Sequence, residues 1–256
     1  MQKNIKLIIS YDGSRYLGWQ RLGNENRERS IQGCIESRIE KILGYSVALI
    51  GSGRTDRGVH ALGQVANFHV PSSFFSNYTL EKFVRICNEQ LPEDIKILSA
   101  SNVPPSFHSR YSAIKKTYTY SIDTREVPSV FSRKYSLWVP DRLDIRIMKR
   151  CAELLVGRHD FSAFSTQTKK EKDTVRTIES LCVEQKKDKL LISVCGDGFL
   201  YNMVRILVGT LLEAGKGKYS TDTLQRALDT GDRQLAGPTA SSVGLFLKEV
   251  VYPLDR

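Results

Sequence analysis

The order of hydrophobic patterns along the N-terminal part of the chain constrains the fold more than any other feature. A β-rich run at residues 5–11 ends at the turn signal Asp12-Gly13. Ser30 can cap a helix whose apolar residues recur at helical spacing and which ends at Gly44. The pattern then predicts strands at 47–50 and 63–70, a helix at 79–89 and a strand at 95–103. This order, β-α-β-β-α-β, is the split βαβ pattern, an antiparallel sheet with its helices on one face.

A second stretch of the same general plan follows the break at Pro104-Pro105. It predicts strands at 117–122, 175–184, 190–195 and 245–252, and helices at 147–156, 200–214 and 223–228. We therefore expect an α+β protein of two split-βαβ (ferredoxin- or RRM-like) halves, with mainly antiparallel sheets flanking a basic active-site cleft. The halves are residues 1–104, which carry the loop described below, and residues 105–256, which complete the cleft.

The net charge points to a class of partner. The chain has 256 residues and a formal net charge of +10. A surplus of lysine and arginine attracts polyanions and speeds their encounter with a protein, so the charge favours a nucleic acid as partner. Solubility alone is the alternative explanation of the charge.

Cysteine and histidine usage bears on metals and on cellular location. Five cysteines and four histidines are present, but no two cysteines form a CxxC and the histidines lack zinc-knuckle spacing. We expect no metal, no other cofactor, and buried thiols in a reducing cytoplasm. The apolar run near the N-terminus is too short for a signal peptide, and no stretch approaches the roughly 18 apolar residues of a membrane span. The sequence therefore predicts a cytoplasmic protein that is not bound to a membrane.

Residues 51–61 form the segment that most suggests chemistry, because charged side chains and three glycines share one loop between two predicted strands. Glycine lets another backbone or a ligand come close. Asp56 is flanked by Arg54 and Arg57, and nearby cations favour the ionised carboxylate, which could act as a nucleophile or as a base. The residues alone do not choose between these roles. They also allow a binding loop without chemistry, or a surface Arg–Asp pair that contributes little.

The run G-R-T-D-R-G-V-H-A at residues 53–61 resembles the signature loop of the tRNA pseudouridine synthase A family. Five further pieces resemble the family's motifs in chain order, at residues 11–20, 107–120, 159–164, 199–209 and 236–245. Each piece is weak alone, but the ordered set is highly specific and spans nearly the whole chain. The last piece departs from the family at Ser241, where proline is usual, and at Val243, where a polar residue is frequent.

The resemblance implies an activity. Asp56 matches the catalytic aspartate, which attacks the target nucleotide at the ribose C1′ or at the base C6; the family's chemistry has been argued both ways. The glycosidic bond breaks, the uracil turns, and a carbon–carbon bond forms at C5. The implied reaction is isomerisation of uridine to pseudouridine at positions 38, 39 and 40 of the tRNA anticodon stem-loop, by a homodimer and without a cofactor.

The resemblance gives two further residues a part in catalysis. Tyr118 matches a tyrosine thought to stack on the extruded base, although it could also be a core aromatic that shares a strand face with Tyr120. Arg205 matches an arginine that pairs with the aspartate. From the sequence alone, Arg205 either reaches the surface or is buried with a carboxylate partner.

Other residues are expected to contact the substrate or the RNA. Arg54 and Arg57 are candidates for phosphate contact and for helping to extrude the base. The remaining candidates are His60, Arg110, Lys115, Lys116 and Leu245. Leu245 matches a residue near the uracil ring, and is otherwise a core leucine of a strand. Two groups of lysines are interpreted as solvated turns, namely Lys169, Lys170 and Lys172, and Lys186, Lys187 and Lys189.

Two other functional classes stay open at this point. The first is a non-catalytic RNA-binding protein with RRM-like sheets, and the missing RRM aromatic signature counts against it. The second is a scaffold protein whose basic surface is incidental, against which the Arg–Asp loop beside apolar strands counts. Pseudouridine formation in unmodified tRNA without added cofactor would distinguish the enzyme from both.

Overall fold

The computed structural model describes residues 2–23, 27–166 and 173–253. The chain forms two compact units, one of Met1–Ile114 with Leu247–Arg256 and one of Lys115–Phe246. The described residues contain six α-helices and ten strands. Of the lysine groups interpreted as turns, the first lies outside the described residues, namely Lys169, Lys170 and Lys172.

The first unit is an antiparallel sheet with helices. Its elements are β1 (Gln2–Tyr11), α1 (Ile31–Leu43), β2 (Ile50–Gly51), β3 (His60–Pro71), α2 (Phe74–Asn77), α3 (Leu80–Gln90), β4 (Ile95–Val103) and most of β10 (Leu245–Val251). Strand β1 lies between β4 and β3 and is antiparallel to both, and β2 and β10 lie beside β3.

Alternation in β1 places its apolar residues in the core of this unit. Ile5, Leu7 and Ile9 are buried on one face, and Tyr11 continues that face at the end of the strand. Helix α1 begins where the Ser30 hydroxyl accepts a hydrogen bond from the Gly33 amide at 3.3 Å, as the sequence predicted.

The second unit also combines strands with helices. Its elements are β5 (Lys115–Asp123), β6 (Leu137–Trp138), α4 (Ile145–Leu154), β7 (Gly157–Asp160), β8 (Val175–Lys186), β9 (Lys189–Gly196), α5 (Met203–Gly215) and α6 (Thr221–Thr230). The sheet order is β5-β9-β8-β7 with antiparallel neighbours, and β6 is parallel to β5. Lys187 and Asp188 form the turn between β8 and β9, so this part of the second lysine group lies in a turn as predicted.

The mixture of helices and strands and the mainly antiparallel pairing are confirmed, while several short elements differ from the sequence prediction. The strand expected at 47–50 shrinks to β2, and three short elements were not predicted, namely α2, β6 and β7. Segments of two to four residues are too short to show a period, which explains why the pattern missed them. The split-βαβ arrangement, the cleft, and the division into residues 1–104 and 105–256 stay predictions.

The part of the chain that the structure describes bears on the membrane and metal expectations. There, none of the helices has the length and apolar character needed to cross a bilayer. Within the same residues, no group of three or more His, Cys, Asp or Glu side chains is arranged to hold a metal ion.

Candidate active site

The loop between β2 and β3 carries Asp56, and neighbouring segments contact it closely. A side chain at Gly51 would collide with the indole of Trp19, and one at Gly18 would lie 2.6 Å from the Thr55 carbonyl oxygen. Gly18 also has a φ of +114°, which disfavours any other residue. Glycines at these positions therefore allow the N-terminal segment to pack against the loop.

Hydrogen bonds hold the backbone on both sides of Asp56. The Trp19 amide donates to the Thr55 carbonyl at 3.0 Å, and the Val59 amide donates to the Asp56 carbonyl at 3.1 Å. Thr55 and Val59 are buried, whereas Asp56 is half-buried. The backbone that carries the Asp56 carboxylate is thus held by hydrogen bonds to the carbonyls of Thr55 and of Asp56 itself.

The side chains of Arg54 and Arg57 are more exposed to solvent than those of the two residues between them. Both arginines are exposed, while Thr55 is buried and Asp56 is half-buried. The loop thus holds two solvated cations on either side of the carboxylate, which is the arrangement expected for contact with a polyanion.

Gln64 is a fully buried polar side chain that supports the other end of the loop. Its carboxamide oxygen accepts hydrogen bonds from the Ser52 hydroxyl at 2.6 Å and the Val65 amide at 3.1 Å. Its carboxamide nitrogen donates to the Gly53 carbonyl at 3.1 Å. Buried polar groups need such partners, so Gln64 ties the start of the loop to β3.

His60 lies under the loop, at 1% exposure. Its Nδ1 accepts a hydrogen bond from the Gly13 amide at 3.2 Å, and the same atom is 3.1 Å from Asp12 Oδ1. One nitrogen cannot accept and donate at once, so the Gly13 contact requires an Nδ1 without hydrogen and a hydrogen bond to Asp12 an Nδ1 that carries one. Burial makes His60 a supporting group of the loop here, and its contact with RNA stays a prediction.

In the second unit, Tyr118 and Tyr120 lie on one face of β5. Tyr118 is 9% exposed and packs edge-to-face on Phe199, with ring centroids 5.3 Å apart and an interplanar angle of 88°. The Tyr120 hydroxyl donates to the Ser241 carbonyl at 2.6 Å, and burial raises the pKa of Tyr120 well above its usual value. Tyr118 thus has a fixed ring beside a second aromatic.

Arg205, on α5, is half-buried and is tied to the segment that follows α6. Its Nε donates to the Ala240 carbonyl at 2.7 Å, and its Nη1 donates to Asn202 Oδ1 at 3.0 Å. The positive charge of Arg205 acts against the effect of burial on the pKa of Tyr120. Its role as the partner of Asp56 stays a prediction.

The segment 236–245 packs on α5 through glycine. A side chain at Gly209 would collide with the Pro238 carbonyl, and the Gly237 amide donates to the Thr210 hydroxyl at 2.8 Å. Ser241 contributes its carbonyl to Tyr120, an atom that a proline would also offer. The departure from the family motif at this position therefore preserves that contact. Leu245, further along, is 4% exposed.

The remaining basic candidates differ in their surroundings. Arg110 is exposed, with its guanidinium 5.8 Å from the ring centre of Tyr111. Lys115 forms an ion pair with Glu179 at 2.5 Å, and Lys116 is half-buried on β5. The partner of Lys115 reduces the charge that it offers to a polyanion.

Sequence reasoning assigned no role to Tyr11, Trp19 or Gln64, although all three contact the loop. A polar residue at a buried strand position was the available signal for Gln64. Tyr11 and Trp19 were visible only as parts of a motif.

Comparisons with known proteins show which family this chain is similar to. The family model described as tRNA pseudouridine synthase matches residues 7–112 and 151–253. A tRNA pseudouridine synthase A of Bacillus sp. (strain KSM-64) is 45% identical over 249 residues, covering 97% of this chain and 99% of that protein. The tRNA pseudouridine synthase A of Clostridium kluyveri is 43% identical, and the tRNA pseudouridine synthase A 2 of Clostridium tetani is 44% identical. Each match covers 98% of this chain and 100% of the relative.

Among solved structures, one titled "Crystal Structure of a Cbf5-Nop10-Gar1 Complex" aligns with a TM-score of 0.33 and 12% identity, covering 91% of this chain and 60% of that one. That likeness is too low to bear on the fold. The family match and the full-length relatives confirm the resemblance found in the motifs: this chain belongs to the tRNA pseudouridine synthase family.

Proposed function

We propose that this chain converts uridine to pseudouridine at positions 38, 39 and 40 of the tRNA anticodon stem-loop, with Asp56 as the nucleophile. Membership of the family supplies the general activity, isomerisation of uridine in tRNA. The observation that most supports Asp56 is its setting: a half-buried carboxylate in a loop whose backbone is hydrogen-bonded at Thr55 and at Val59. A nucleophile held in one position avoids much of the entropy cost of reaching its target.

The reaction balances without any external reactant. The carboxylate of Asp56 attacks C1′ or C6, the bond between C1′ and N1 breaks, and the uracil turns. A bond forms between C1′ and C5, and the bond between the carboxylate and C1′ or C6 breaks, which regenerates Asp56. The hydrogen on C5 leaves as a proton while N1 gains one. The product is an isomer of the substrate, so no electrons are gained or lost.

Several side chains support this chemistry by their type and exposure. Arg54 and Arg57 are exposed cations that suit phosphate oxygens, and such contacts position a nucleic acid without reading its sequence. Tyr118 offers an aromatic ring for stacking on an extruded base. The proposed RNA contacts further from Asp56 in the sequence are Arg110, Lys115 and Lys116, and Leu245 is proposed to pack near the uracil.

Finer features of the fold and assembly belong to the same proposal. The order β4-β1-β3 with β2 beside β3, all antiparallel, supports a split-βαβ unit. A homodimer that acts in the cytoplasm is proposed from the family resemblance. Sedimentation analysis of the purified protein would test the dimer.

The decisive variant is Asp56→Asn, which keeps the shape of the side chain but removes its charge and nucleophilicity. Release of tritium from tRNA labelled at uridine C5 should be abolished. Binding of tRNA in a filter assay should stay within a few fold, because phosphate contacts by arginine and lysine dominate affinity.

Two results would contradict the proposal. Tritium release by Asp56→Asn at a rate near that of the wild type would show that Asp56 is not the nucleophile. If the wild type binds tRNA but forms no pseudouridine, the alternative of a non-catalytic RNA-binding protein gains.

A further inference from the structure

The side chain of Thr55, the residue that precedes Asp56, belongs to a buried pair of hydroxyls. The hydroxyls of Tyr11 and Thr55 share a hydrogen bond of 2.8 Å, although 44 residues separate them in the chain. Tyr11 is 4% exposed and Thr55 is 6% exposed. The Gln64 side chain, which donates a hydrogen bond to the Gly53 carbonyl, also interacts with the Tyr11 hydroxyl and partly offsets the increase that burial causes in the pKa of Tyr11. These polar groups form a connected set under the loop.

A bulge in the sheet lies beside Tyr11. Along β1 and β3, Ile9 is opposite Gln64, but Tyr11 is opposite Ala61, so β3 contains one more residue than β1 over this stretch. Bulges re-aim the side chains beside them and are frequent next to active sites. Without the shift, the strand register would direct Tyr11 to a different residue of β3.

Stability alone does not account for a buried hydroxyl pair at this place. Replacing both partners of a buried hydrogen bond by apolar groups of the same shape is often nearly neutral for stability. A fully satisfied polar network instead specifies one arrangement of the groups around it. Here the arrangement so specified is that of Thr55, whose backbone continues directly into Asp56.

We propose that Tyr11 is a positioning residue for the reaction, and that it aims the Asp56 carboxylate by holding the Thr55 side chain. This inference rests on the proposed function, in which Asp56 is the nucleophile. Tyr11 itself does not touch the substrate; it acts only through Thr55.

The chemistry of Tyr11 separates this role from acid–base catalysis. Burial raises the pKa of the Tyr11 phenol well above its usual value, so it stays protonated throughout the range in which tRNA can be assayed. Tyr11→Phe should therefore lower the height of the pH–rate profile and leave its shape unchanged.

The first experiment measures the full-length Tyr11→Phe variant under single-turnover conditions with saturating tRNA. Phenylalanine keeps the ring, which lies 6.1 Å from that of Trp19, and removes only the hydroxyl. The rate of the chemical step should fall about 10- to 100-fold, the range expected when a catalytic group is misplaced by a fraction of an ångström to one ångström. The dissociation constant for tRNA should change less than about twofold, because phosphate contacts are untouched.

Tyr252→Phe is the matched control. The Tyr252 hydroxyl donates to the Ser109 carbonyl at 2.7 Å, and the residue is 1% exposed in the same unit. This variant loses the same kind of buried hydrogen bond, but the partner is Ser109 and not Thr55, so its rate should equal that of the wild type. An equal loss of rate in both variants would overturn the proposal, because it would mark a general effect of destabilisation.

A double-mutant cycle with Thr55→Val tests the route of the effect. If Tyr11 acts through Thr55, Tyr11→Phe combined with Thr55→Val should be no slower than the slower single variant. Thr55→Ser, which keeps the hydroxyl, should retain most of the rate. Multiplicative losses in the double variant would overturn the proposal, as would a wild-type rate in Tyr11→Phe. If Tyr11→Phe does not fold, Thr55→Val alone decides, and a wild-type rate there overturns the proposal.

The Asp56→Asn variant, run in parallel, keeps the two proposals apart. An inactive Asp56→Asn with a wild-type rate in Tyr11→Phe overturns the positioning role alone. An active Asp56→Asn overturns the proposed nucleophile, and the positioning role falls with it.

Discussion

Asp123, at the end of β5, is a single residue whose ionisation should influence stability. It is 2% exposed, and its carboxylate accepts hydrogen bonds from the Arg125 guanidinium at 2.8 and 2.6 Å and from the Ser129 amide at 3.1 Å. These donors, Arg125 above all, hold the pKa of Asp123 far below its usual value. The charged form is therefore favoured in the folded protein.

This shift predicts how the stability of an Asp123→Asn variant depends on pH. A carboxyl whose pKa is depressed on folding contributes stability above its unfolded pKa of about 3.9, and loses it as pH falls toward the folded pKa. Asp123→Asn should thus be less stable than the wild type at pH 7, by an amount that is constant down to about pH 5. The gap should narrow below about pH 4. Urea unfolding at pH 7, 5 and 3 measures it, and a gap that widens toward pH 3 would contradict the sign.

At the scale of elements, α5 and the segment 236–241 depend on close backbone contact. Gly209 in α5 leaves space for the Pro238 carbonyl, and Gly237 approaches Thr210 on the same helix. The same segment supplies the Ala240 carbonyl to Arg205. The helix and the segment therefore position Arg205 together. Loosening the contact between them should displace the Arg205 side chain.

Gly209→Ala tests this packing. Alanine is better than glycine in a helix by about 1 kcal/mol, yet its Cβ would collide with the Pro238 carbonyl, and overpacking typically costs about 1–3 kcal/mol. We expect a net loss in the free energy of unfolding, measured in urea, together with lower activity. Gly198→Ala is the control, since a Cβ there lies 3.6 Å from the nearest atom, in ordinary contact. A Gly209→Ala variant as stable as Gly198→Ala would contradict the prediction, because it would show that the segment 236–241 shifts to accommodate the added Cβ.

At the scale of the whole molecule, the net charge of +10 sets how the protein meets its substrate. Long-range attraction raises the encounter rate with a polyanion, while individual exposed cations release counterions when they contact phosphates. The basic residues do not contribute equally to this attraction. Lys115 forms an ion pair with Glu179 at 2.5 Å, whereas Arg110 is exposed beside Tyr111. The two residues should therefore differ in their share of RNA binding.

Salt dependence of tRNA binding measures that share. For the wild type, log K should fall linearly with log salt concentration, by roughly 0.7–0.9 per neutralised phosphate. Arg110→Ala should weaken binding and reduce the slope by about one such step. Lys82→Ala is a matched control, as its ammonium likewise lies near a tyrosine ring, 6.0 Å from the centre of Tyr78. An unchanged slope in Arg110→Ala would remove this residue from the RNA contact.

The sequence by itself determined the features that depend on near neighbours. Strand β4 was predicted at 95–103 and is found at Ile95–Val103, and the caps of α1 at Ser30 and Gly44 were read directly from residue type. Local periodicity reports which face of a segment is buried, so long segments are well predicted. The ordered motifs likewise identified the family and placed Asp56 in its loop.

Only the tertiary structure decided which distant residues meet. Tyr11 meets Thr55 across 44 residues, and Lys115 meets Glu179 across 64 residues. His60, expected at the RNA, is buried beneath the loop, at 1% exposure. Such contacts depend on strand register, bulges and the packing of whole elements. None of these leaves a periodic signal in the local sequence, because each is set by residues far apart in the chain.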